Sequence, residues 1–191
     1  MEQKLIAVTG GIGSGKSYAI NLLKESGYFC ISCDEVYADL LKERKFIKKL
    51  KKRYPFAVSG IFRLRVDKKV LAEHVFYRPE NLKKLNNFTH PIILKRVLRI
   101  AKMSKAEKVF VEVPVLFESG HEKKFNKVII ISRNLRDRIE SVKERSNLTE
   151  KQIQVRIDNQ INYAELDKSG YIEVKNDKKF AEKLLKIANE I

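Results

Sequence analysis

The residues best suited to chemistry come early in the chain. Gly10-Gly-Ile-Gly-Ser-Gly-Lys-Ser17 fits the pattern G-x-x-x-x-G-K-[ST] and stands between an apolar run, Leu5-Ile-Ala-Val8, and a helical pattern. Glycines let a backbone take positive φ and come close enough for successive N–H groups to surround phosphate oxygens. The N-terminus of the helix that follows adds a partial positive charge aimed at the same anion. The expected nucleotide contacts are therefore Gly11, Ile12, Gly13, Ser14, Gly15, Lys16, Ser17 and the adjoining Tyr18. Lys16 reaches the β- and γ-phosphates, and the Ser17 hydroxyl ligates Mg²⁺. A glycine-rich turn without a ligand gives no packing reason for lysine and serine at these offsets. The loop predicts a nucleoside triphosphate and says nothing of what accepts the phosphate.

Other candidates stand where strands end. Asp34 follows the apparent strand Tyr28-Phe-Cys-Ile-Ser32, and ligands in open parallel sheets bind beyond the carboxyl ends of strands. It reads equally as a general base or as the N-cap of a helix beginning at Glu35. Glu112 closes the run Lys108-Val-Phe-Val-Glu-Val113. It could hold Mg²⁺ through water or serve as a lid or helix partner. Arg136, Arg138 and Arg145 lie on a helix opened by Asn134 or Ser132. Arginines stabilise a transferring phosphoryl group, and Arg145, beside the break Ser146-Asn-Leu-Thr149, is the one assigned that role. Cys30 and Cys33 spell C-I-S-C, but strand spacing sends them to opposite faces, so buried reduced thiols are expected rather than a redox pair or zinc site.

These side chains need a scaffold. Continuous β-branched runs at 108–113 and 127–131 read as strands buried on both faces, hence a parallel sheet beneath helices. Ile20, Leu22 and Leu23 face that sheet from the first helix, with Gly27 as its C-terminal stop. The stretch from Tyr54 to Met103 holds a helix over Val66–Phe76 and another from Pro79, interrupted at His90-Pro91. That is more helix than a crossover needs, so a substrate-binding insertion is inferred. Thr149-Glu-Lys-Gln152 has capping-box form and starts the second of two lid helices. Tyr171-Ile-Glu-Val174 makes a fifth strand, and Phe180, Leu184, Leu185 and Ile187 make a closing amphipathic helix.

At 191 residues, with 43% hydrophobic and 34% charged residues, the chain is expected to fold as one domain with a real core. No stretch has the ~20 apolar residues that cross a bilayer. The early strand leaves no room for a signal peptide, so a cytoplasmic location is expected. The net charge of +16 suits a polyanionic small substrate, nucleic acid, or a lysine-rich solubilising surface such as Lys48-Lys-Leu-Lys-Lys-Arg53. No RNA-binding signature accompanies it, so nucleic acid is not the expected partner.

With these pieces placed, the sequence resembles the dephospho-CoA kinase family over nearly its whole length. The matching residues are Thr9–Ser17, Ile31-Ser-Cys-Asp34, Leu71 to Val75-Phe76, His90-Pro91-Ile92, Val113-Pro-Val-Leu-Phe-Glu-Ser-Gly120, Arg145-Ser-Asn-Leu-Thr149, Gln160 and Asn176. The resemblance implies ATP-dependent phosphorylation of the ribose 3′-hydroxyl of dephospho-CoA, with Mg²⁺. It implies an α/β, three-layer P-loop kinase fold with a five-stranded parallel sheet, a helical CoA-binding region (54–105) and lid helices (135–165). It makes Asp34 the base, with Lys16 and Arg145 on the phosphates, and places Asn176 at the nucleotide. His90, Pro91, Leu116 and Asp34 then line the acceptor site, and a monomer or small homo-oligomer is expected. Tyr18 stands where threonine is usual, Arg138 where glutamine is frequent, and Ser141 where arginine is usual. A phosphate contact shifted by one helical turn would follow. A nucleoside or nucleoside-monophosphate kinase on the same core is the rival enzyme, and a basic nucleic-acid-binding P-loop protein the rival of another class.

Overall fold

A computed structural model describes residues 3–146 and 148–191, apart from the side chains of Phe76 and Pro79. Asn147 of the expected lid break and the Phe76 side chain thus lie outside the described residues. The chain forms two compact units, one of Met1–Ser32 with Ile100–Ile191 and one of Cys33–Arg99.

The first unit opens with β1 (Lys4–Thr9), α1 (Lys16–Glu25) and β2 (Phe29–Ser32). The second holds α2 (Cys33–Leu40), α3 (Arg44–Arg53), a short antiparallel pair β3 (Val58–Ser59) and β4 (Arg65–Val66), α4 (Lys68–Tyr77) and most of α5 (Pro79–Ser104). The first unit then resumes with β5 (Lys108–Glu112), β6 (Lys127–Ser132), α6 (Leu135–Arg145), α7 (Glu150–Asp158), β7 (Ile172–Lys175) and α8 (Phe180–Glu190).

Five parallel strands form one sheet in the order β2-β5-β1-β6-β7, which puts β1 and its loop at the centre. Alternate residues of β1 bury on opposite faces, as the continuous apolar runs predict. Ile6 and Val8 join Phe110, Ile129 and Ile131 in a core shared with Ala19, Ile20 and Leu23 of α1 and Phe180 and Leu184 of α8. Leu5, Ala7, Val109, Val111, Val128 and Ile130, on the other face, are buried as well. Burying each such side chain contributes about 1.5–3 kcal/mol, so the sheet is the rigid part of the unit. In the second unit Ile47 and Leu50 of α3 pack with Tyr54, Leu71, Val75 and Leu85, while Lys48, Lys49, Lys52 and Arg53 stay exposed.

Three expectations are revised. Helix α5 runs unbroken through Pro91 for 26 residues. Proline removes one backbone donor, but Leu85, Ile93 and Val97 remain buried on either side, and their packing holds the flanking turns together. Helix α2 begins at Cys33, so Asp34 sits inside its first turn rather than at the N-cap, where the helix dipole still favours a carboxylate. Cys33 is therefore helical, and the strand-alternation argument does not apply to it; both cysteines are half-buried, not buried. Burial pushes the Cys30 thiol up to about 11, which leaves it unreactive near neutrality.

Candidate active site

The carboxyl ends of three adjacent strands are level. Val8 of β1 pairs in register with Glu112 of β5, and Glu112 pairs with Ser32 of β2. The glycine-rich loop leaves β1 and enters α1 at Lys16. Gly13 and Gly15 take φ of +76° and +102°, a region costly to any residue with a side chain. A Cβ at Gly15 would run into the Asn176 amide. Asn176, just past β7, donates Nδ2–H to the Ser14 carbonyl at 2.9 Å. The loop thus turns several carbonyls toward protein donors, and within it the Ser14 N–H donates to the Gly11 carbonyl at 3.1 Å. Lys16 Nζ follows the same pattern, donating to the carbonyls of Gly10 at 2.8 Å and Gly11 at 3.1 Å.

Ser17, in the first turn of α1, donates its hydroxyl to Glu112 Oε1 at 2.8 Å, and Glu112 is only 7% exposed. Two hard oxygens at the mouth of a phosphate loop fit Mg²⁺, which takes few protein ligands and keeps substrate and water oxygens. No cage of three or more His, Cys, Asp or Glu side chains occurs among the described residues, and such a site needs none. The Ser14 hydroxyl is buried within the loop and finds no hydrogen-bond partner among the described residues. Residues present at the loop therefore fit a magnesium-bound polyphosphate.

Helices α6 and α7 follow their sequence signals. Asn134 caps α6 by accepting from Asp137 N–H, and Thr149 and Gln152 form the expected capping box on α7. Arg138 of α6 donates Nε–H to the Ile12 carbonyl at 2.9 Å, and its burial pulls the guanidinium below its ordinary range. Gln160, past α7, accepts the Ile12 N–H at 2.7 Å. Arg145 is exposed in the last turn of α6, on the same face as Arg138 and about 10 Å further along the axis. Tyr18 is half-exposed and stacks on Phe180 with ring centroids 5.8 Å apart.

A cavity of about 660 Å³ adjoins the loop, lined by Gly11, Ser14, Arg138, Gln160 and Tyr163 among others. Tyr163 lies within 3.4 Å of the Thr9 hydroxyl, and burial pushes its phenol up to about 12. Thr9 in turn donates to the Val113 carbonyl at 2.7 Å. Glu118 accepts the Ile161 N–H, and Phe117 packs edge-on against Tyr163 and Tyr171. The Pro114–Gly120 run therefore braces the segment after α7. Leu116 itself is fully buried and accepts from Ser119 and His121, so it shapes this turn from the core rather than presenting a surface. Tyr163 was not among the expected residues; a lone tyrosine after a helix carries no local signal.

In the second unit, His90 and Pro91 occupy the middle of α5, with His90 half-buried and Pro91 exposed. Asp34 lies two residues beyond the end of β2.

A family model for dephospho-CoA kinase matches residues 4–182. The chain belongs to the dephospho-CoA kinase family. Among its relatives is the dephospho-CoA kinase of Thermus thermophilus, 34% identical over 152 residues that span 80% of this chain and 72% of the relative. That of Campylobacter jejuni is 32% identical over 192 residues, covering 96% of this chain and 94% of the other. A Thermus thermophilus crystal structure superposes with a TM-score of 0.86 at 30% identity, covering 100% of this chain and 98% of that one. Shikimate kinase from Acinetobacter baumannii shares the fold alone, with a TM-score of 0.55 at 12% identity, over 98% of this chain and 94% of that one. The expected α/β P-loop kinase fold and enzyme class hold with the family: this is an ATP-using phosphotransferase acting on a small molecule. No helix among the described residues is long and apolar enough to cross a membrane.

Proposed function

We propose that the chain transfers the γ-phosphoryl group of ATP to the ribose 3′-hydroxyl of dephospho-CoA, giving coenzyme A and ADP. The observation that carries this reading is the intact phosphate loop, with Ser17 held on Glu112, in a chain of this family. The charge of the helical unit supports it. Residues 33–99 hold 18 Lys and Arg against seven Asp and Glu, so most of the net +16 belongs to the part expected to take the anionic acceptor.

Asp34 accepts the proton of the 3′-hydroxyl as its oxygen forms the new bond to phosphorus. The bond from phosphorus to the β-bridging oxygen breaks, ADP leaves with the electron pair, and Asp34 later gives its proton to solvent. Loop N–H groups and Lys16 hold the β- and γ-phosphoryl oxygens, and Arg145 approaches them from the lid. Ser17 and Glu112 would hold Mg²⁺, which would supply positive charge to offset that building on the phosphoryl oxygens. Tyr18, Asn176 and the lid side chains frame the rest of the nucleotide, while His90 and Pro91 contribute to the acceptor site. Reliance on ATP fits a cytoplasmic reaction.

The deciding experiment gives the purified chain Mg-ATP with a panel of acceptors: dephospho-CoA, nucleosides and nucleoside monophosphates. Coenzyme A should form, with phosphate on the 3′-position. Preferred turnover of a nucleoside or its monophosphate would overturn the assignment.

A further inference from the structure

Ile12, in the phosphate loop, is held from two sides. Arg138 on α6 occupies the Ile12 carbonyl through Nε at 2.9 Å, and Gln160, past α7, occupies the Ile12 N–H through Oε1 at 2.7 Å. Both hydrogen-bonding groups of one loop residue are thus taken by side chains from the two ends of the lid. The surroundings leave little slack. A Cβ on Gly11 would strike the Arg138 guanidinium, and one on Gly13 would strike the Arg138 carbonyl. Arg138 therefore lies flat along the loop, and the chain has glycine where α6 comes closest.

We propose that Arg138 and Gln160 are positioning residues for ATP: together they fix the two peptide groups on either side of Ile12 and so keep the neighbouring loop N–H groups aimed at the phosphates. The inference rests on the kinase reading above. A donor already aligned when the anion arrives needs no reorganisation, which is where such a clamp acts. It also ties the loop to both lid helices, because neither can shift without loading the same residue. The role belongs to the Arg138 Nε–H, not to the charge of the guanidinium. That distinction is testable, because a glutamine side chain carries its amide nitrogen the same number of bonds from Cα as arginine carries Nε.

The test measures ADP affinity by calorimetry, together with kcat and KM for both substrates. R138M and Q160M should each weaken ADP about 10-fold and raise KM for ATP similarly, leaving KM for dephospho-CoA within about 2-fold of wild type. R138Q should recover most of what R138M loses. The R138M/Q160M double variant should lose less than the product of the single losses, since both act through one residue. If R138Q binds ADP as poorly as R138M, the charge matters and the clamp is wrong. A fall in melting temperature with ADP affinity intact would reduce both residues to structural roles, and multiplicative losses would make them independent. A wild-type chain that binds ADP but never phosphorylates dephospho-CoA would overturn the assigned acceptor and leave the ADP comparison readable.

Discussion

The Ser17 hydroxyl donates to Glu112 Oε1 at 2.8 Å, joining the first turn of α1 to the end of β5 beneath the phosphate loop. In the proposed metal role, the pair would join Mg²⁺ binding to stability. E112Q keeps the shape and an acceptor for Ser17 but loses the charge. Its Mg²⁺ requirement should rise about 10-fold with little change in melting temperature. S17A strips a buried carboxylate of its donor and should cost about 1–3 kcal/mol of stability as well as most of the turnover. Rates across a Mg²⁺ titration, read beside thermal melts, check both; an unaltered Mg²⁺ dependence in E112Q would remove Glu112 from the metal site.

Asp34 lies in the first turn of α2, where a carboxylate has two possible uses. As the base it makes D34N slow by about 10²–10⁴-fold while ADP still binds normally. As a helix-end charge alone it makes D34N slightly less stable and fully active. Single-turnover rates with calorimetric ADP binding separate the two.

Gly15 stands at φ +102° with the Asn176 amide against it. G15A must both adopt a strained backbone and displace that amide, and should abolish measurable nucleotide binding. N176A leaves the Ser14 carbonyl without its donor and should weaken ADP by a smaller factor, about 3–10-fold. Near-wild-type ADP binding in G15A would mean that the loop has room the geometry denies it.

The Tyr163 phenol titrates near 12 in the fold against an ordinary value of 10.0. Burial disfavours its charged form, so its stabilising contribution is complete below pH 10 and is lost as pH rises from 10 to 12. At about 1.4 kcal/mol per pH unit the loss approaches 2–3 kcal/mol, less whatever solvent reaches the partly buried ring. Cys30 acts the same way from about pH 9 to 11. Chemical denaturation of wild type and Y163F across pH 8–12 should give a shallower alkaline decline in the variant. Parallel curves would show that Tyr163 does not carry the effect.

The site divides by sequence distance between what was legible and what was not. The phosphate loop is eight adjacent residues whose spacing alone carries the chemistry, and apolar, largely β-branched runs at 109–111 and 128–131 announce a doubly buried sheet. The capping box at Thr149 is equally local. By contrast, Ile12 meets Arg138 and Gln160 from 126 and 148 positions away, and nothing near either end of those pairs announces the contact. Pro91 misled for the opposite reason. Its local rule is sound, but packing of Leu85, Ile93 and Val97 across it outweighed one missing donor. Asp34 needed the helix start, which propensity fixes only to within a residue or two.

The order in which the chain is made gives the central position of β1 a further meaning. The strand that bears the phosphate loop is synthesised first, yet both its neighbours, β5 and β6, arrive after residue 107, and Asn176 and Phe180 later still. During translation the glycine-rich loop therefore waits first for β5, β6, Arg138 and Gln160, and last for Asn176 and α8. A nascent chain stalled at residue 170 would carry every residue of the motif but lack β7, Asn176 and α8 behind it. It should show no affinity for ADP, and restoring the last strand and helix in trans should restore it.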